Sequence, residues 1–393
     1  MKVVICGAGI AGLALAQRLA TLDQEVVLLE QAPGPRRQGY MMDFFGPGFD
    51  AAEAMGVLPR IREVGYQVWG ATFVDSAGRP RVELRYSRFA DAVGGRLVSV
   101  LRPELERVLR ESLPDTVELR FGTSVTAVDT GPDGVDVTLT GGDRVAADLL
   151  VGADGIHSVV RRLVFGDQPR HVRYLGMHTA AFTVTDPALR DEVRDRFCLT
   201  DSVDRMFACY GLRDGRVAAF TVHRTPDPTR PADPHATLRG VYEPLGWIVP
   251  RALAGCPPAE EVFYDQVVQT VLPRWRHGRV TLVGDACHAV SLVAGQGASL
   301  AVAGAYLLAE RLARARSIDD ALASYERRWR PLVTATQRSA HSGVTWFLPE
   351  VPLRLRARRV ALRLAGLPGV DRLLARRLAN PPVPPITELA AAD

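Results

Sequence analysis

Residues 2–16 read KVVICGAGIAGLALA, and this stretch decides the fold. The apolar run before Gly7 is typical of a buried parallel strand, and the apolar residues after Gly12 recur at helical spacing. Gly7 permits a tight turn, Gly9 lets the backbone approach a pyrophosphate, and Gly12 allows the helix to pack closely on the strand. The start of the helix offers N–H groups to phosphates. The stretch therefore predicts a strand, a turn and a helix that bind a dinucleotide.

A second strand pattern, EVVLLE, follows the helix and ends in the acidic residue Glu30. An acid at this distance is placed to meet a ribose 2′-hydroxyl. A carboxylate there would repel a 2′-phosphate, so we do not expect this pocket to hold NADP. The strand–turn–helix–strand–acid context makes the glycine pattern specific for a dinucleotide, but it does not distinguish NAD from FAD.

Composition and charge exclude several classes of protein. Apolar residues make up 47% and charged residues 23% of the 393 residues, as in an ordinary globular protein, which excludes a mainly disordered, coiled-coil or collagen-like chain. The net charge of +4 is too small to require a nucleic-acid partner, so we expect none. Lys2 is the only lysine, so a mechanism that needs a lysine elsewhere in the chain is excluded.

The five cysteines are scattered and odd in number. No Cys or His pair has metal-ligand spacing, so we expect neither a metal site nor a disulfide framework, and we predict a reducing, cytoplasmic location. Residues 286–309 carry no charged side chain and are long enough to span a bilayer. They contain His288 and Gln296, with glycines on either side of Gln296, so we interpret them as a buried loop and helix and expect no transmembrane segment.

Three later segments each match a motif of one family of flavin enzymes. Residues 152–161, GADGIHSVVR, resemble its DG motif, and residues 102–105, RPEL, resemble its Arg-x-x-Leu element. Residues 284–288, GDACH, followed by residues 295–300, GQGASL, resemble its GD motif and flavin-facing glycine turn. Their order and separations are those of the family. The chain thus resembles the group A FAD-dependent monooxygenases, aromatic hydroxylases with the para-hydroxybenzoate hydroxylase-like fold, which include tetracycline-inactivating and polyketide-tailoring members.

With the strand and helix patterns, the resemblance implies an α/β fold. A Rossmann-like FAD-binding domain would be interleaved with a mostly antiparallel β-sheet substrate domain, and the C terminus would be helical. The expected units are FAD-binding parts over 1–67, 97–170 and 272–345, a substrate-domain hairpin over 68–96, a substrate-binding β-sheet over 171–271, and a C-terminal helical tail over 346–393. The arginine-rich tail suits a basic amphipathic helix on an anionic membrane or a helical pair packed on the main domain, and we favour the packed pair.

The resemblance also implies non-covalent FAD and roles for individual residues. Asp285 would accept a hydrogen bond from a ribityl hydroxyl, and Arg102 would reach ribityl or phosphate oxygens. The turn 295–297 would place N–H groups and a helix N terminus beside the flavin N1–C2=O locus, which favours the reduced flavin. Asp154 and Arg161 would aid the binding of FAD and NAD(P)H, although a turn with a helix cap also explains Asp154. The residues expected to bind the cofactor are Gly7, Gly9, Ala11, Gly12, Glu30, Arg36, Asp43, Arg102, Asp154, Gly155, Arg161, Gly284, Asp285, Gly295, Gln296, Gly297 and Ala298.

Two of these residues depend on a weaker match. Arg36 and Asp43 lie in a loop that resembles the mobile flavin-contacting segment of the family, in which an Arg and an Asp face the nicotinamide donor and the flavin. A solvated arginine after a Pro-Gly-Pro turn explains Arg36 equally well.

The family reaction is oxygen transfer. NAD(P)H would reduce FAD, O2 would add to give a C4a-hydroperoxide, and one oxygen atom would pass to an electron-rich carbon. The expected substrate is an aromatic or polyketide-like small molecule that is hydroxylated or epoxidised in bacterial secondary metabolism, by a monomer or a dimer. His178, Tyr210 and His223 lie in the expected substrate sheet and could polarise a phenol, although each is also explained as a structural residue.

Two departures from the family keep a second function open. Leu292 stands where the family usually has proline, and Ser299 where it often has asparagine. The alternative is a structural FAD on the same scaffold, with a non-redox cyclisation in natural-product assembly as the reaction. A flavin halogenase is set aside because its tryptophan motif and catalytic lysine are missing, and a nicotinamide dehydrogenase would not explain Asp285 and the turn 295–297.

Overall fold

The computed structural model describes residues 1–36, 39–291, 295–365 and 384–391, and in these ranges the chain has the expected α/β fold. The strands are β1 (Lys2–Cys6), β2 (Glu25–Glu30), β3 (Met41–Phe45), β4 (Gly70–Val74), β5 (Pro80–Arg85), β6 (Leu97–Leu101), β7 (Glu118–Phe121), β8 (Val125–Thr130), β9 (Val135–Leu139), β10 (Arg144–Ala147), β11 (Leu149–Gly152), β12 (Val172–Val184), β13 (Phe197–Ser202), β14 (Arg205–Gly211), β15 (Val217–Arg224), β16 (Phe263–Thr270), β17 (Arg276–His277) and β18 (Val280–Leu282). The helices are α1 (Ile10–Ala20), α2 (Pro47–Ala54), α3 (Leu58–Glu63), α4 (Tyr86–Ala92), α5 (Arg102–Glu111), α6 (Val159–Phe165), α7 (Pro187–Val193), α8 (Pro234–Tyr242), α9 (Val249–Ala254), α10 (Asp285–His288), α11 (Gly297–Arg314), α12 (Ile318–Phe347), α13 (Pro352–Ala365) and α14 (Ile386–Ala391).

A six-stranded sheet carries the dinucleotide-binding pattern. Its strand order is β17-β18-β11-β1-β2-β7, and β1 pairs in parallel with both β11 and β2. Val3, Val4 and Ile5 are fully buried, as the unbroken apolar run of a central parallel strand requires. Because β1, β11 and β18 run in the same direction, the turns that follow them meet at one edge of the sheet.

A seven-stranded sheet forms the second layer, in the order β16-β12-β15-β14-β13-β4-β5. Its pairs are antiparallel except for β4 with β13, which are parallel. One face packs on α7, α8 and α9 through a cluster that includes Phe182, Phe207 and Tyr242. The opposite face, which includes Phe220, packs against Tyr40 and the end of α12. We name these the helix-covered face and the inner face.

Two smaller sheets complete the strand pairing. Strands β8, β9 and β10 form one, and β3 pairs with β6 in the other. The β3–β6 pair belongs to the chain segments that connect the two large sheets, since β3 follows β2 and β6 follows β5. The domain boundaries proposed from the sequence remain a prediction.

The helical C-terminal region differs from the expected pattern at one end. The sequence pattern predicts a helix over residues 318–338, but α12 continues to Phe347 with Pro331 inside it. Val344 is buried against the inner face, and this tertiary contact extends the helix beyond its favourable local sequence. None of the described helices is both long and apolar enough to cross a membrane.

The last helices pack on the rest of the chain. Arg358 of α13 is buried, and its guanidinium donates to Asp201 at the end of β13 and to the Phe347 carbonyl. Ile386 and Ala390 of α14 are buried in the core formed with α2 and α11. In the described part of the tail, these contacts match the packed-helix interpretation; residues 366–383, which carry several of its arginines, lie outside the described residues.

Candidate cofactor and substrate site

The three glycine turns meet at the edge of the six-stranded sheet. Gly7 has a φ of +107°, and a Cβ at this position would lie 2.5 Å from the Ala153 carbonyl oxygen. Gly284 has a φ of +65°, and its Cβ would lie 2.6 Å from the Cβ of Ala11. A larger residue at either position would push the turns apart. The close approach explains why motifs more than 100 residues apart in the chain form one site.

Two helix N termini at this site lack side-chain caps. Gly9 is the N-cap residue of α1 and Gln296 that of α11, and neither of them makes a side-chain cap hydrogen bond. The first N–H groups of a helix have no partner within the helix, so both ends can bind an anion or a carbonyl. Among the described residues, no atom lies within 4 Å of a Cβ built on Gly9 or Gly297. Both positions therefore leave room for a ligand at the backbone.

Glu30 lies beside the first of these helix starts. Its carboxylate accepts hydrogen bonds from the N–H groups of Ala8 and Ala32, both at 2.9 Å. These bonds fix the buried carboxylate between the end of β2 and the glycine turn. Each carboxylate oxygen has a second lone pair, so the group can still accept from a ribose hydroxyl.

Asp285 and Arg102 form the charged part of the site. Asp285 is exposed to solvent but has many protein atoms around it; desolvation raises the pKa of its carboxyl, and the positive charge of Arg102 opposes this rise. Arg102 pairs with Glu106 at 3.2 Å, and its backbone N–H donates to the Tyr40 carbonyl. A carboxylate and a guanidinium are thus held near each other. Hydroxyl and phosphate groups of a ligand would find a hydrogen-bond acceptor and a donor there.

Asp154 acts as a helix cap in this structure. Its carboxylate accepts from the Ser158 hydroxyl at 2.5 Å and from the N–H groups of Val159 and Val160 at 2.7 and 3.1 Å. Desolvation by burial raises its pKa, and these hydrogen bonds lower it in part. The cap fixes the turn that carries Gly155, whose φ is +78°.

Arg161 connects two of the motifs. Its buried guanidinium donates to the Ala286 carbonyl at 2.7 Å and to the Ile156 carbonyl at 2.6 Å. Ala286 belongs to the GD segment and Ile156 to the DG segment. In this structure Arg161 holds the two turns in a fixed relation rather than pointing toward a ligand, and burial lowers the pKa of its guanidinium.

Asp43 has two hydroxyl groups as its hydrogen-bond partners. On β3, its carboxylate accepts from the hydroxyl groups of Tyr86 and Ser99, the latter at 2.7 Å. Burial raises the Asp43 pKa, and the two hydroxyl groups lower it in part. Arg36 is exposed.

The structure describes only one of the two residues that depart from the family pattern. Leu292 lies outside the described residues. Ser299 is buried in α11, where its hydroxyl accepts from the Gly48 N–H at 2.9 Å and donates to the Phe45 carbonyl. Ser299 therefore fastens the β3–α2 connection to α11, which is a structural role.

A cleft of about 1200 Å³ lies beside β3 and the edge of the seven-stranded sheet. Phe197 and Tyr210 stack in its wall, with ring centroids 5.3 Å apart and planes inclined by 16°. The Tyr210 hydroxyl accepts from the Met41 N–H at 2.6 Å. Tyr86 and Ser99, the two partners of Asp43, also line this cleft.

Of the three residues suggested to polarise a phenol, only Tyr210 lines the cleft. His178 and His223 lie on the helix-covered face of the sheet, where their Nδ1 atoms are 3.2 Å from the Tyr264 hydroxyl and 2.9 Å from the Tyr242 hydroxyl. Burial lowers the pKa of both histidines, that of His223 to about 4. A side-chain period of two decides which face each residue occupies, and the sequence did not determine that register.

The sequence patterns missed Tyr86, Ser99 and Glu106. Tyr86 and Ser99 lie on segments that carry no motif, and only the pairing of Asp43 with Ser99 across β3 and β6 brings them together. Glu106 could have been found, because it stands four residues after Arg102 on a predicted helix, the spacing of a helical ion pair.

The residues present fit FAD. Two uncapped helix starts suit a pyrophosphate and a flavin carbonyl, Glu30 suits a ribose, and Asp285 with Arg102 suits a polyhydroxyl chain. The open backbone at Gly9 and Gly297 allows close contact with such a ligand.

Comparison with known proteins agrees with this assignment. The family model described as FAD binding domain matches residues 1–340. An uncharacterised protein of Mycobacterium tuberculosis is 34% identical over 319 residues, which cover 79% of this chain and 84% of that protein. A flavin-dependent monooxygenase of Legionella longbeachae is 28% identical over 344 residues, or 86% of this chain and 87% of that protein.

Solved structures share the fold over almost the whole chain. The tetracycline destructase Tet(51) has a TM-score of 0.80 at 24% identity and covers 97% of this chain and 99% of its own. Klebsiella pneumoniae HpxO complexed with FAD and uric acid has a TM-score of 0.75 at 25% identity, with coverage of 95% and 97%. Site geometry, family match and relatives lead to one conclusion: the chain belongs to the FAD binding domain family and is a group A FAD-dependent monooxygenase.

Proposed function

We propose that this monooxygenase uses NAD(P)H and O2 to hydroxylate or epoxidise an aromatic or polyketide-like small molecule held in the cleft of about 1200 Å³. The observation that carries the proposal is the wall of this cleft, in which stacked aromatic rings and hydroxyl groups lie together beside β3. The volume exceeds the range of about 300–1,000 Å³ that is usual for small-molecule pockets, so a fused-ring substrate would fit.

The aromatic side chains of the cleft favour a flat substrate. Phe197 and Tyr210 stack with each other, and Tyr66 lines the same cleft beneath the guanidinium of Arg213, which lies 4.5 Å from the ring centroid. Such faces bind conjugated rings through dispersion and offset stacking. We propose that the substrate lies against Phe197 and Tyr210.

The charge of the cleft favours an oxygen-bearing substrate that can become anionic. Five arginines line it against two acids, Glu63 and Asp195. The Tyr210 oxygen already accepts the Met41 N–H, so its own proton can be donated to a substrate oxygen. We propose that Tyr210 holds a phenol or enol oxygen and that the arginines stabilise its deprotonated form.

Asp43, Tyr86 and Ser99 provide a route for the proton that such a substrate loses. The Tyr86 hydroxyl faces the cleft and contacts the Asp43 carboxylate, and the raised pKa of this carboxyl favours proton uptake. We propose that Tyr86 accepts the substrate proton while it passes its own proton to Asp43. The same Asp43 was expected to contact the cofactor, and that role stays a prediction.

The residues at the glycine turns and Asp285 are proposed to hold FAD without a covalent bond. When bound, FAD supplies the redox chemistry, with NAD(P)H as the electron donor and O2 as the oxidant. The contribution of the chain is to fix the cofactor through Gly9, Glu30, Arg102, Asp285 and the start of α11, and to place the substrate cleft beside it. We propose that the remaining cofactor residues named from the sequence act in the same site.

The first test is an anaerobic titration of the purified yellow protein with NADH and with NADPH, followed by absorbance near 450 nm. Each donor is tested alone and with phenolic and polyketide-like compounds. Bleaching that one compound class accelerates supports the proposal and identifies the substrate class. Admission of O2 should then restore the colour and yield a product heavier by one oxygen atom in mass spectrometry.

The opposite result has a clear meaning. A protein that bleaches under light with a photoreductant, but with neither nicotinamide donor, would overturn the proposed reaction. It would favour a structural FAD and a non-redox cyclisation, which should continue without O2.

A further inference from the structure

A second groove, of about 750 Å³, lies along α12 and shares no lining residue with the cofactor turns or the substrate cleft. One wall is a single face of α12, where Arg327, Arg330, Thr334 and Arg338 follow one another at helical spacing. The opposite wall is the segment that leads into the edge strand β17. We name it the arginine groove; its lining residues are Pro273, Arg274, Arg276, Ala323, Glu326, Arg327, Arg330, Pro331, Thr334 and Arg338.

Arginine is concentrated in this groove well beyond its use in the chain. Of the 48 basic residues, one is Lys2, which leaves 47 arginines among 393 residues. In the arginine groove, five of the ten lining residues are arginines and one, Glu326, is an acid. The high arginine content of the chain therefore does not by itself account for a groove that is one-half arginine.

The single acid is already neutralised. The Glu326 carboxylate accepts from Arg330 at 3.1 Å and from the Trp275 backbone N–H at 3.3 Å. Arg330 also donates to the Pro273 carbonyl, so this pair fastens α12 to the opposite wall. The Glu326–Arg330 pair thus has a structural role and leaves the other arginines without an acidic counterpart in the groove.

Four guanidinium groups remain, those of Arg274, Arg276, Arg327 and Arg338. None of them forms an ion pair with a residue in the described part of the chain. Arg274 and Arg276 belong to one wall of the groove, and Arg327 and Arg338 to the other. Four like charges around one groove raise its potential, and an anion bound between the walls would relieve their repulsion.

We propose that the arginine groove binds a small polyanion of the phosphate class, a molecule of nucleotide size with at least two phosphate groups. The guanidinium fork matches phosphate oxygens and can bind them with two parallel hydrogen bonds. The groove volume lies within the range of about 300–1,000 Å³ that is usual for small-molecule sites. A long nucleic acid is a poorer match, because the groove is short and the whole chain carries a net charge of only +4.

The test uses the full chain saturated with FAD, so that the pyrophosphate-binding turns of the cofactor site are occupied. Tripolyphosphate, ATP and polyglutamate are each titrated by calorimetry at constant ionic strength. The variant is Arg327→Gln/Arg338→Gln, and the control is Arg144→Gln/Arg173→Gln, which removes two exposed arginines elsewhere. The flavin absorbance near 450 nm shows that every protein is folded and still loaded.

We expect saturable binding of tripolyphosphate to the wild type and to the control, and affinity weaker by about tenfold or more in the groove variant. Tighter binding of ATP than of tripolyphosphate would assign the site to a nucleotide, and equal binding would assign it to the phosphate groups alone. Three results would overturn the proposal: no saturable binding of tripolyphosphate, an equal loss in both double variants, or binding of polyglutamate only, which would indicate an acidic protein partner.

Discussion

At the residue scale, Asp285 has the most direct proposed link to FAD. It follows the end of β18, and it is exposed, with the positive charge of Arg102 acting on its carboxyl. We expect Asp285→Ala to lower the FAD content of the purified protein by about tenfold or more, because a charged hydrogen-bond acceptor is lost. The ratio of flavin to protein absorbance measures this. Asp133→Ala, on an exposed turn, is the control, and full FAD content in Asp285→Ala would show that the flavin lies elsewhere.

Asp43 should determine how the reaction depends on pH. A proton acceptor works only when it is deprotonated, so product formation should rise with pH through the Asp43 pKa, which burial raises above its ordinary value. We expect Asp43→Asn to remove this rise and Tyr86→Phe to weaken it, when each rate is divided by the FAD content of the protein. The check is the pH profile of single-turnover product formation with the phenol that accelerates bleaching. A profile of the same shape in Asp43→Asn would exclude the proton route.

His223 should contribute to stability rather than to catalysis. Its pKa falls from an ordinary 6.5 to about 4 through burial, so the unfolded chain binds more protons than the folded chain between these values. The stabilisation is therefore present above pH 6.5 and is lost as the pH falls toward 4. In urea unfolding, we expect the free energy of unfolding of the wild type to fall more steeply than that of His223→Gln, by about 1.4 kcal/mol per pH unit. Parallel curves of unfolding free energy against pH for the wild type and His223→Gln would contradict this role. A loss of turnover in His223→Gln at pH 8 would contradict it as well.

At the scale of elements, the connection between the DG and GD turns depends on Arg161. Its guanidinium reaches the carbonyls of Ile156 and Ala286, and a methionine of similar length would leave both buried oxygens without a donor. We expect Arg161→Met to lower the free energy of unfolding by about 2–5 kcal/mol and to weaken FAD binding. Arg162→Met, at the exposed neighbouring position, is the control. Normal FAD affinity in a destabilised Arg161→Met protein would show that the two turns need not be connected for the cofactor to bind.

The sequence could predict those elements in which local pattern and long-range packing agree. The first strand, turn and helix follow from residues 2–16, and α11 begins at Gly297, within the turn 295–297 that was expected to precede a helix. The end of α12 could not be predicted, because residues 339–343 include two serines, a histidine and Gly343, which are weak helix formers, and burial of Val344 on the inner face extends the helix. The sequence also could not predict which face of the sheet His178 and His223 occupy, because a shift of one residue in strand register moves a side chain to the other face.

Among the site residues, those that belong to a sequence motif could be predicted. Those that only tertiary pairing brings together could not. The convergence of Gly7, Gly284 and Ala11 follows from the motifs, and the structure brings these residues into one place. The grouping of Asp43 with Tyr86 arises from strand pairing and a helix placement that no motif marks.

At the scale of the whole molecule, one carboxylate of the seven-stranded sheet holds two arginines of helix α13. Asp201 pairs with both Arg358 and Arg359, and the side chain of Arg358 is only 5% exposed. Removal of the carboxylate leaves a buried guanidinium unpaired, which costs about 3–5 kcal/mol. We expect Asp201→Ala to release α13, with faster trypsin cleavage within residues 352–365.

The control for this contact is Asp214→Ala, which breaks an exposed pair with Arg216 and should change stability by less than about 1 kcal/mol. Mass spectrometry of the first trypsin fragments locates the cut. Equal cleavage rates in Asp201→Ala and the wild type would show that the other contacts of α13 are enough to hold it in place.

The strand order of the two large sheets also constrains how the chain can be made. Strand β4 lies beside β13, and β1 lies beside β11, which pairs with β18. A ribosome that releases the chain from its N terminus therefore exposes one side of β1 and one side of β4 long before β11 and β13 exist. The seven-stranded sheet cannot be completed until residue 270 has emerged, and the six-stranded sheet until residue 282. We therefore expect neither sheet to form first and serve as a template for the other. Folding should be slow, should finish late, and should depend on chaperones that protect the early strands.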